Sequence, residues 1–170
     1  MVWLTGLSGS GKSTLANLVA AELKKQGHPV QILDGDELRA NLNTDLAFSK
    51  ADRLAHMKRT AYVAGLLANH GITVIMALIS PYRDARTELK ASLPNCIEVY
   101  VDCPLEVCQA RDVKGLYRKA LRGEIPGFTG ISDPYEEPVN PELVVHTHEE
   151  TPEESAGKIL AYLNERFFGP

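Results

Sequence analysis

A chain of 170 residues with 44% hydrophobic and 24% charged side chains is long enough for one well-buried domain and too short for two comfortable ones. Its formal net charge of -4 gives no general basic field of the kind duplex nucleic acid attracts, so any anion site must be local and its ligand small. Three cysteines, Cys96, Cys103 and Cys108, are odd in number and lack C-x-x-C spacing, which fits reduced thiols and excludes a disulfide framework or a zinc site.

The chain opens on a short apolar run, Val2 to Leu4, followed by Gly6-Leu7-Ser8-Gly9-Ser10-Gly11-Lys12-Ser13-Thr14 and a helical pattern from Thr14 to Gln26. That is G-x-x-x-x-G-K-[ST] between a strand and a helix, the context in which such a loop binds phosphate. The glycines allow a nest of backbone N–H groups, and the helix adds its positive end at the same place. Lys12 can then reach the terminal phosphates and Ser13 can offer its hydroxyl to Mg²⁺.

Further strands are predicted over Val30–Leu33, Thr73–Ile79, Ile97–Val101 and Val144–His146, and helices over Lys50–Asn69, Ala85–Ala91, Leu105–Arg111 and Pro152–Phe167. Gln26-Gly27 and His70-Gly71 are helix stops followed at once by strands. Continuous apolar strands separated by helices predict one doubly wound α/β domain over residues 1–170, a mostly parallel sheet with helices on both faces and ligands at the carboxyl ends of the strands. The longest apolar run, Thr73 to Ile79, is far short of the roughly 18 residues of a membrane span. With the first strand beginning at Val2, the expectation is a cytoplasmic protein without leader, membrane segment or nucleic-acid partner.

The residues just after each strand are therefore the informative ones. Asp34-Gly35-Asp36 follows the second strand, Ser80-Pro81-Tyr82-Arg83 the third and Asp102-Cys103-Pro104 the fourth. Asp34 and Asp36 beside a triphosphate can hold Mg²⁺ or accept a proton from an attacking hydroxyl; the plainer role is an Asx turn or a helix N-cap, and Asp36 could do both. Phe48 precedes the N-cap Ser49, so periodicity favours a hydrophobic staple over a nucleobase-stacking face shared with Arg53. His56 alone on a helix reads as an exposed or locally bonded histidine.

Between Cys108 and Thr129 the chain turns basic and glycine-punctuated, with Arg111, Lys114, Arg118, Lys119 and Arg122 among Gly115, Gly123 and Gly127. On an acidic protein this segment, about 111–131, predicts a lid that closes over the phosphates, excludes water and supplies cations. Phe128, at its far end, is expected to be exposed and able to cap a bound base.

Taken together these residues resemble the adenylylsulfate (APS) kinase family over almost the whole chain. The resemblance is carried by the phosphate loop, Leu33-Asp34-Gly35-Asp36, Leu42-Asn43-x-Asp45-Leu46-x-Phe48-Ser49 and Ile79-Ser80-Pro81-Tyr82-Arg83. It continues in Arg111-Asp112-x-Lys114-Gly115-Leu116-Tyr117 and Gly127-Phe128-Thr129-Gly130-Ile131. It implies a kinase of the phosphate-loop NTPase type that uses ATP and Mg²⁺ to phosphorylate the ribose 3′-hydroxyl of APS, giving PAPS and ADP, usually as a homodimer. It further implies that Phe48 and Phe128 sandwich the APS adenine, against the staple, and that Arg39, Arg53 and Lys114 contact the phosphosulfate or sugar. His56, Ile79, Ser80, Leu116 and Gly127 join the substrate pocket, Arg111 packs near the ATP base, and Asp34 and Asp36 share metal binding and proton acceptance. A serine matching Ser80 has been described as a phosphoserine intermediate in bacterial members; direct in-line transfer makes Ser80 a pocket residue first. Glu37, Ala47 and His56 depart from the asparagine, glycine and asparagine that the family pattern carries there. A gluconate- or shikimate-type kinase, or a nucleotide-binding member without turnover, is the alternative; the former gives no reason for two base-stacking aromatics.

Overall fold

The computed structural model describes residues 1–168. Five parallel strands, β1 (Val2–Thr5), β2 (Val30–Asp34), β3 (Thr73–Ala77), β4 (Ile97–Asp102) and β5 (Leu143–His146), form one sheet in the order β2-β3-β1-β4-β5. Each of β2 to β5 is entered through a helix-bearing crossover: α1 (Lys12–Lys25), α2 (Gly35–Asn41) with α3 (Lys50–Asn69), α4 (Arg83–Ala91), and α5 (Leu105–Arg111) with α6 (Leu116–Leu121). The chain ends in α7 (Pro152–Leu163), opened by a Thr151–Glu154 capping box, and a π-helical turn, Asn164–Phe168. The expected doubly wound sheet is present.

Alternation along the strands divides the core between the two faces. Val2 and Leu4 of β1, with Ile75 of β3 and Val99 of β4, meet Leu15, Val19 and Leu23 of α1 and Ile159 and Leu163 of α7. Trp3, Val74 and Met76 point the other way, onto Met57, Ala61 and Ala64 of α3 and onto Leu93. A third cluster lies beyond the strand ends, where Cys103, Cys108, Tyr117, Ala120 and Phe128 pack together.

Two helices are absent from the sequence expectation. α2 and α6 span seven and six residues, too short to show a 3.6-residue period. β3 ends at Ala77 and not at Ile79, because Leu78 to Pro81 leave the sheet to form the pocket wall. The helix of the chain's end closes at Leu163, the π-helical turn replacing its last residues.

Candidate active site

The order β3-β1-β4 puts the topological switch point, where the strand order reverses, at β1, and the loop after β1 is Gly6 to Gly11. Gly6 tolerates no side chain, since a Cβ there would come within 2.6 Å of the Val101 carbonyl oxygen. Gly11, at φ 104°, caps α1 in the left-handed region that β-carbons resist, and so turns the loop into the helix. Tyr117 of α6 reaches down from the lid and donates its hydroxyl to the Ser8 carbonyl at 2.8 Å. The Lys12 ammonium lies under the loop, donating to the carbonyls of Gly6 (3.0 Å) and Leu7 (2.6 Å). Burial pushes its amine down to about 8.

The loop opens into a cavity of about 780 Å³. At its centre Asp34 acts through both oxygens: one caps α2 by accepting from the Asp36 N–H at 2.9 Å, and the other accepts from the Ser13 hydroxyl at 2.6 Å. The helix cap is thus Asp34 and not Asp36. Asp36, the second residue of α2, pairs with Lys114. Ser13 and Asp34 bring two hard oxygens together beside the phosphate loop, a donor set suited to Mg²⁺, which completes its shell with phosphate oxygens and water.

Thr14, Arg111, Thr147 and Pro152 are among the residues that line the cavity. Arg111 bridges the phosphate loop and β5 by donating to the carbonyls of Gly9 (3.3 Å) and Thr147 (2.6 Å). Thr147 in turn donates to the Ser10 carbonyl at 2.7 Å. Thr147 was missed in the sequence although it directly follows β5; the rule applied to the second, third and fourth strands finds it when extended to the fifth.

The same cavity is lined by Arg39, Phe48, Arg53, His56, Leu116 and Phe128, and by Ile79 and Ser80. Phe48 is 53% exposed, with the Arg39 guanidinium 4.6 Å from its ring centroid and that of Arg53 5.7 Å away. The staple expected from periodicity is therefore absent, because the residue four positions into α3 is Arg53 and offers Phe48 no apolar partner. Phe128 reverses the other expectation: it is 9% exposed and meets Tyr117 edge to face at 5.1 Å, so one side of the ring is core while the other lines the cavity. Arg53 is buried, and its guanidinium donates to the carbonyls of Phe48 and Gly127 and to the Thr129 hydroxyl, stitching the two aromatic segments together. Gly127 itself does not line the cavity, nor do Gly6, Leu7 and Ser10, which act through the backbone behind it.

Ser80 is held at φ 50° in the left-handed region. Its hydroxyl accepts from the Trp3 indole N–H at 3.0 Å and its carbonyl accepts from Arg86 at 2.5 Å. Arg86 is 1% exposed and also pairs with Glu98 at 2.8 Å, so the wall is anchored into β1, α4 and β4. Of the five basic lid residues only Arg111 and Lys114 face the cavity; Arg118 and Arg122 pair with Asp112 and Glu124.

The match of this geometry to known proteins is specific. Residues 1–146 match the family model described as adenylylsulphate kinase. The adenylyl-sulfate kinase of Deinococcus deserti is 54% identical over 96% of this chain and 90% of its own length. A solved structure of the Mycobacterium tuberculosis APS kinase in complex with AMPPNP and APS superposes with a TM-score of 0.92 at 44% identity, covering 96% of each chain. The hexameric APS kinase from Thiobacillus denitrificans matches at 32% identity and a TM-score of 0.75 over 99% of this chain and 29% of that one. A shikimate kinase from Aquifex aeolicus, at 20% identity and a TM-score of 0.57, shares the fold alone. With the family model spanning all five strands, the phosphate loop and the lid, this chain belongs to the adenylylsulphate kinase family.

Proposed function

We propose that this chain uses ATP to phosphorylate the ribose 3′-hydroxyl of adenosine 5′-phosphosulfate, releasing ADP and 3′-phosphoadenylyl sulfate. The observation that carries the reading is a single cavity whose lining brings the phosphate loop together with Arg111 and Thr147 and with two aromatic rings accompanied by cationic and donor groups.

In this assignment ATP lies with its base at the Arg111 end and its γ-phosphate at Lys12, and the adenine of the substrate lies between Phe48 and Phe128. The ribose 3′-oxygen bonds to the γ-phosphorus as the bond to the β,γ-bridging oxygen breaks, the electron pair leaving with ADP, and the hydroxyl proton passes to a carboxylate. Asp36 is that acceptor: Asp34 is held by Ser13 and by the cap of α2, whereas the partner of Asp36 is Lys114, which the bound anion draws away. Ser13 and Asp34 would hold Mg²⁺, which when bound neutralises charge on the phosphate oxygens. Lys12 balances charge on the group in transit, and Lys114 and Arg39 face the anionic phosphosulfate. Transfer is direct, with Ser80 forming pocket wall through its Trp3 and Arg86 bonds.

Residues 1–170 act as one kinase domain with the lid at 111–131, assembled as a homodimer; the oligomeric relative supports self-association in general. The three free cysteines, two of them buried, suit a reducing cytoplasm, and no helix among the described residues is long and apolar enough to cross a membrane. The deciding experiment incubates the protein with Mg-ATP and, separately, APS, adenosine, gluconate and shikimate. ADP release with APS alone, with the product phosphorylated at the 3′ position, is expected. Turnover of a sugar acid, or ATP binding without turnover of APS, overturns the assignment.

A further inference from the structure

His56 of α3 is 6% exposed and lies on the cavity wall beside Gly35, its Nε2 3.6 Å from the point that a Cβ on Gly35 would occupy. Its Nδ1 is 2.8 Å from Nδ2 of Asn43, a side chain with no solvent exposure. The other end of that amide decides which ring nitrogen carries the proton. Oδ1 of Asn43 accepts from Nη1 of Arg59 at 3.3 Å, and Asp45 holds the same guanidinium through two bonds of 2.6 and 2.8 Å. A guanidinium only donates, so turning the amide over would set its NH₂ against Arg59 and its oxygen against the ring.

Nδ2 therefore donates to Nδ1, and the proton of the neutral imidazole resides on Nε2. Burial, reinforced by the Arg39 guanidinium and opposed by the Asp36 carboxylate, pushes the imidazolium down to about 4, so the ring is neutral near pH 7. Among the described residues no protein group accepts from Nε2, although every other polar end of this chain of contacts is satisfied. The Nε2 atom itself is accessible from the cavity, and a donor on so buried a side chain that meets a cavity without a protein acceptor is placed for a ligand acceptor.

We propose that Asn43 and Arg59 are positioning residues that lock His56 as an Nε2–H donor, and that this donor reads an acceptor oxygen on the sugar or phosphosulfate of the bound substrate. The inference rests on the assignment of this end of the cavity to an adenosine phosphosulfate. It also explains how a histidine works here: its donor face is fixed by a relay that begins at the surface pair Asp45–Arg59 and never touches the ligand.

Nitrogen-15 spectra of the ring in the free protein test the tautomer without reference to activity. Pyridine-type Nδ1 and pyrrole-type Nε2 are expected between pH 6 and 8, and the reverse assignment overturns the proposal. Arg59→Met frees the amide to turn, so the spectrum should shift to a tautomer mixture, with Arg59→Lys restoring the parent pattern. Arg59→Met should also raise the KM for APS by roughly 2- to 12-fold, the worth of one neutral hydrogen bond, while the KM for ATP moves less than about twofold. In a His56→Leu background the Arg59 substitution should add nothing further. Equal changes in both KM values, or additive effects in that cycle, would show Arg59 to be merely structural and sink the relay. A parent protein inert toward APS would defeat the functional assignment, and the ring spectrum alone would then uphold or reject the tautomer lock.

Discussion

Replacing each cavity aromatic by alanine separates substrate stacking from core packing, because the two rings have different surroundings. Phe48 is 53% exposed, so its removal should change stability by no more than about 0.5 kcal/mol and Tm by less than about 2 °C. Base–aromatic stacking is worth on the order of 1–3 kcal/mol, so Phe48→Ala should weaken APS binding roughly 5- to 150-fold with ATP affinity held. Phe128 is 9% exposed and braces Tyr117, whose hydroxyl holds the Ser8 carbonyl of the phosphate loop. Its truncation should cost about 3–5 kcal/mol, which at about 2–4 °C per kcal/mol for a chain this size lowers Tm by about 6–20 °C. Loss of that brace should weaken ATP as well as APS. Calorimetric melting and equilibrium titration with each nucleotide read all three quantities. Unchanged APS affinity in Phe48→Ala would remove the stacking assignment, and a parent-like Tm in Phe128→Ala would refute the packing argument.

Lys12→Ala should lower kcat by at least about a thousandfold with the fold intact, and activity within tenfold of the parent would remove the phosphate-loop assignment. The Lys12 amine of the free protein, at about 8, is charged below that pH and neutral above it; kcat/KM for ATP should fall about tenfold per pH unit beyond 8, and a profile flat to about pH 9.5 contradicts this. Asp34→Asn keeps an equally good N-cap for α2 but removes the charge beside Ser13, so kcat should fall by about a hundredfold or more while Tm shifts less than about 2 °C. Full activity across Mg²⁺ concentrations would leave Asp34 a turn residue. Ser80→Ala leaves the buried Trp3 N–H without its acceptor and should cost about 1–3 kcal/mol in denaturant titration. Turnover should stay within about tenfold of the parent; a loss of about a thousandfold with labelled phosphate on Ser80 in the parent would restore the covalent route.

What was legible in the sequence follows from the range of the interactions involved. The phosphate loop, the strands and the long helices are written in local pattern, so Lys50–Asn69 and Leu105–Arg111 coincide with their predicted bounds. α2 and α6 are too short to carry a period, and their positions depend on the caps at Asp34 and Gly115. The burial of Phe128 was not legible, because the ring that shelters it, Tyr117, lies across a glycine-rich turn whose path no local pattern fixes. The basic segment 111–131 was legible as charge but not as direction: Asp112 and Glu124, unremarkable in sequence, hold Arg118 and Arg122 in local ion pairs.

The same distinction explains how the two halves of the cavity become one site. The half assigned to ATP is built by local sequence, a strand, a loop and a helix within the first 25 residues, with Arg111 added from the end of α5 and Thr147 from the end of β5. The acceptor half has no such unit. Its walls come from the segment before α3, the turn after β3 and the far end of the lid, and what unites them is buried cationic side chains that bond backbone carbonyls. Arg53 joins Phe48 to Gly127 and Thr129, and Arg86 joins Ser80 to the carbonyl of Glu136. A buried guanidinium has to find acceptors for all its donors, and carbonyls at loop ends supply them where no ladder does. In the proposed assignment Arg53 therefore acts first on the position of the two rings and only through them on the base placed between them. A lysine there keeps the charge but loses the planar fork that reaches three acceptors at once. In that assignment acceptor recognition depends on long-range arginine–carbonyl bonds, which is why periodicity and spacing alone find the phosphate loop before they find the acceptor pocket.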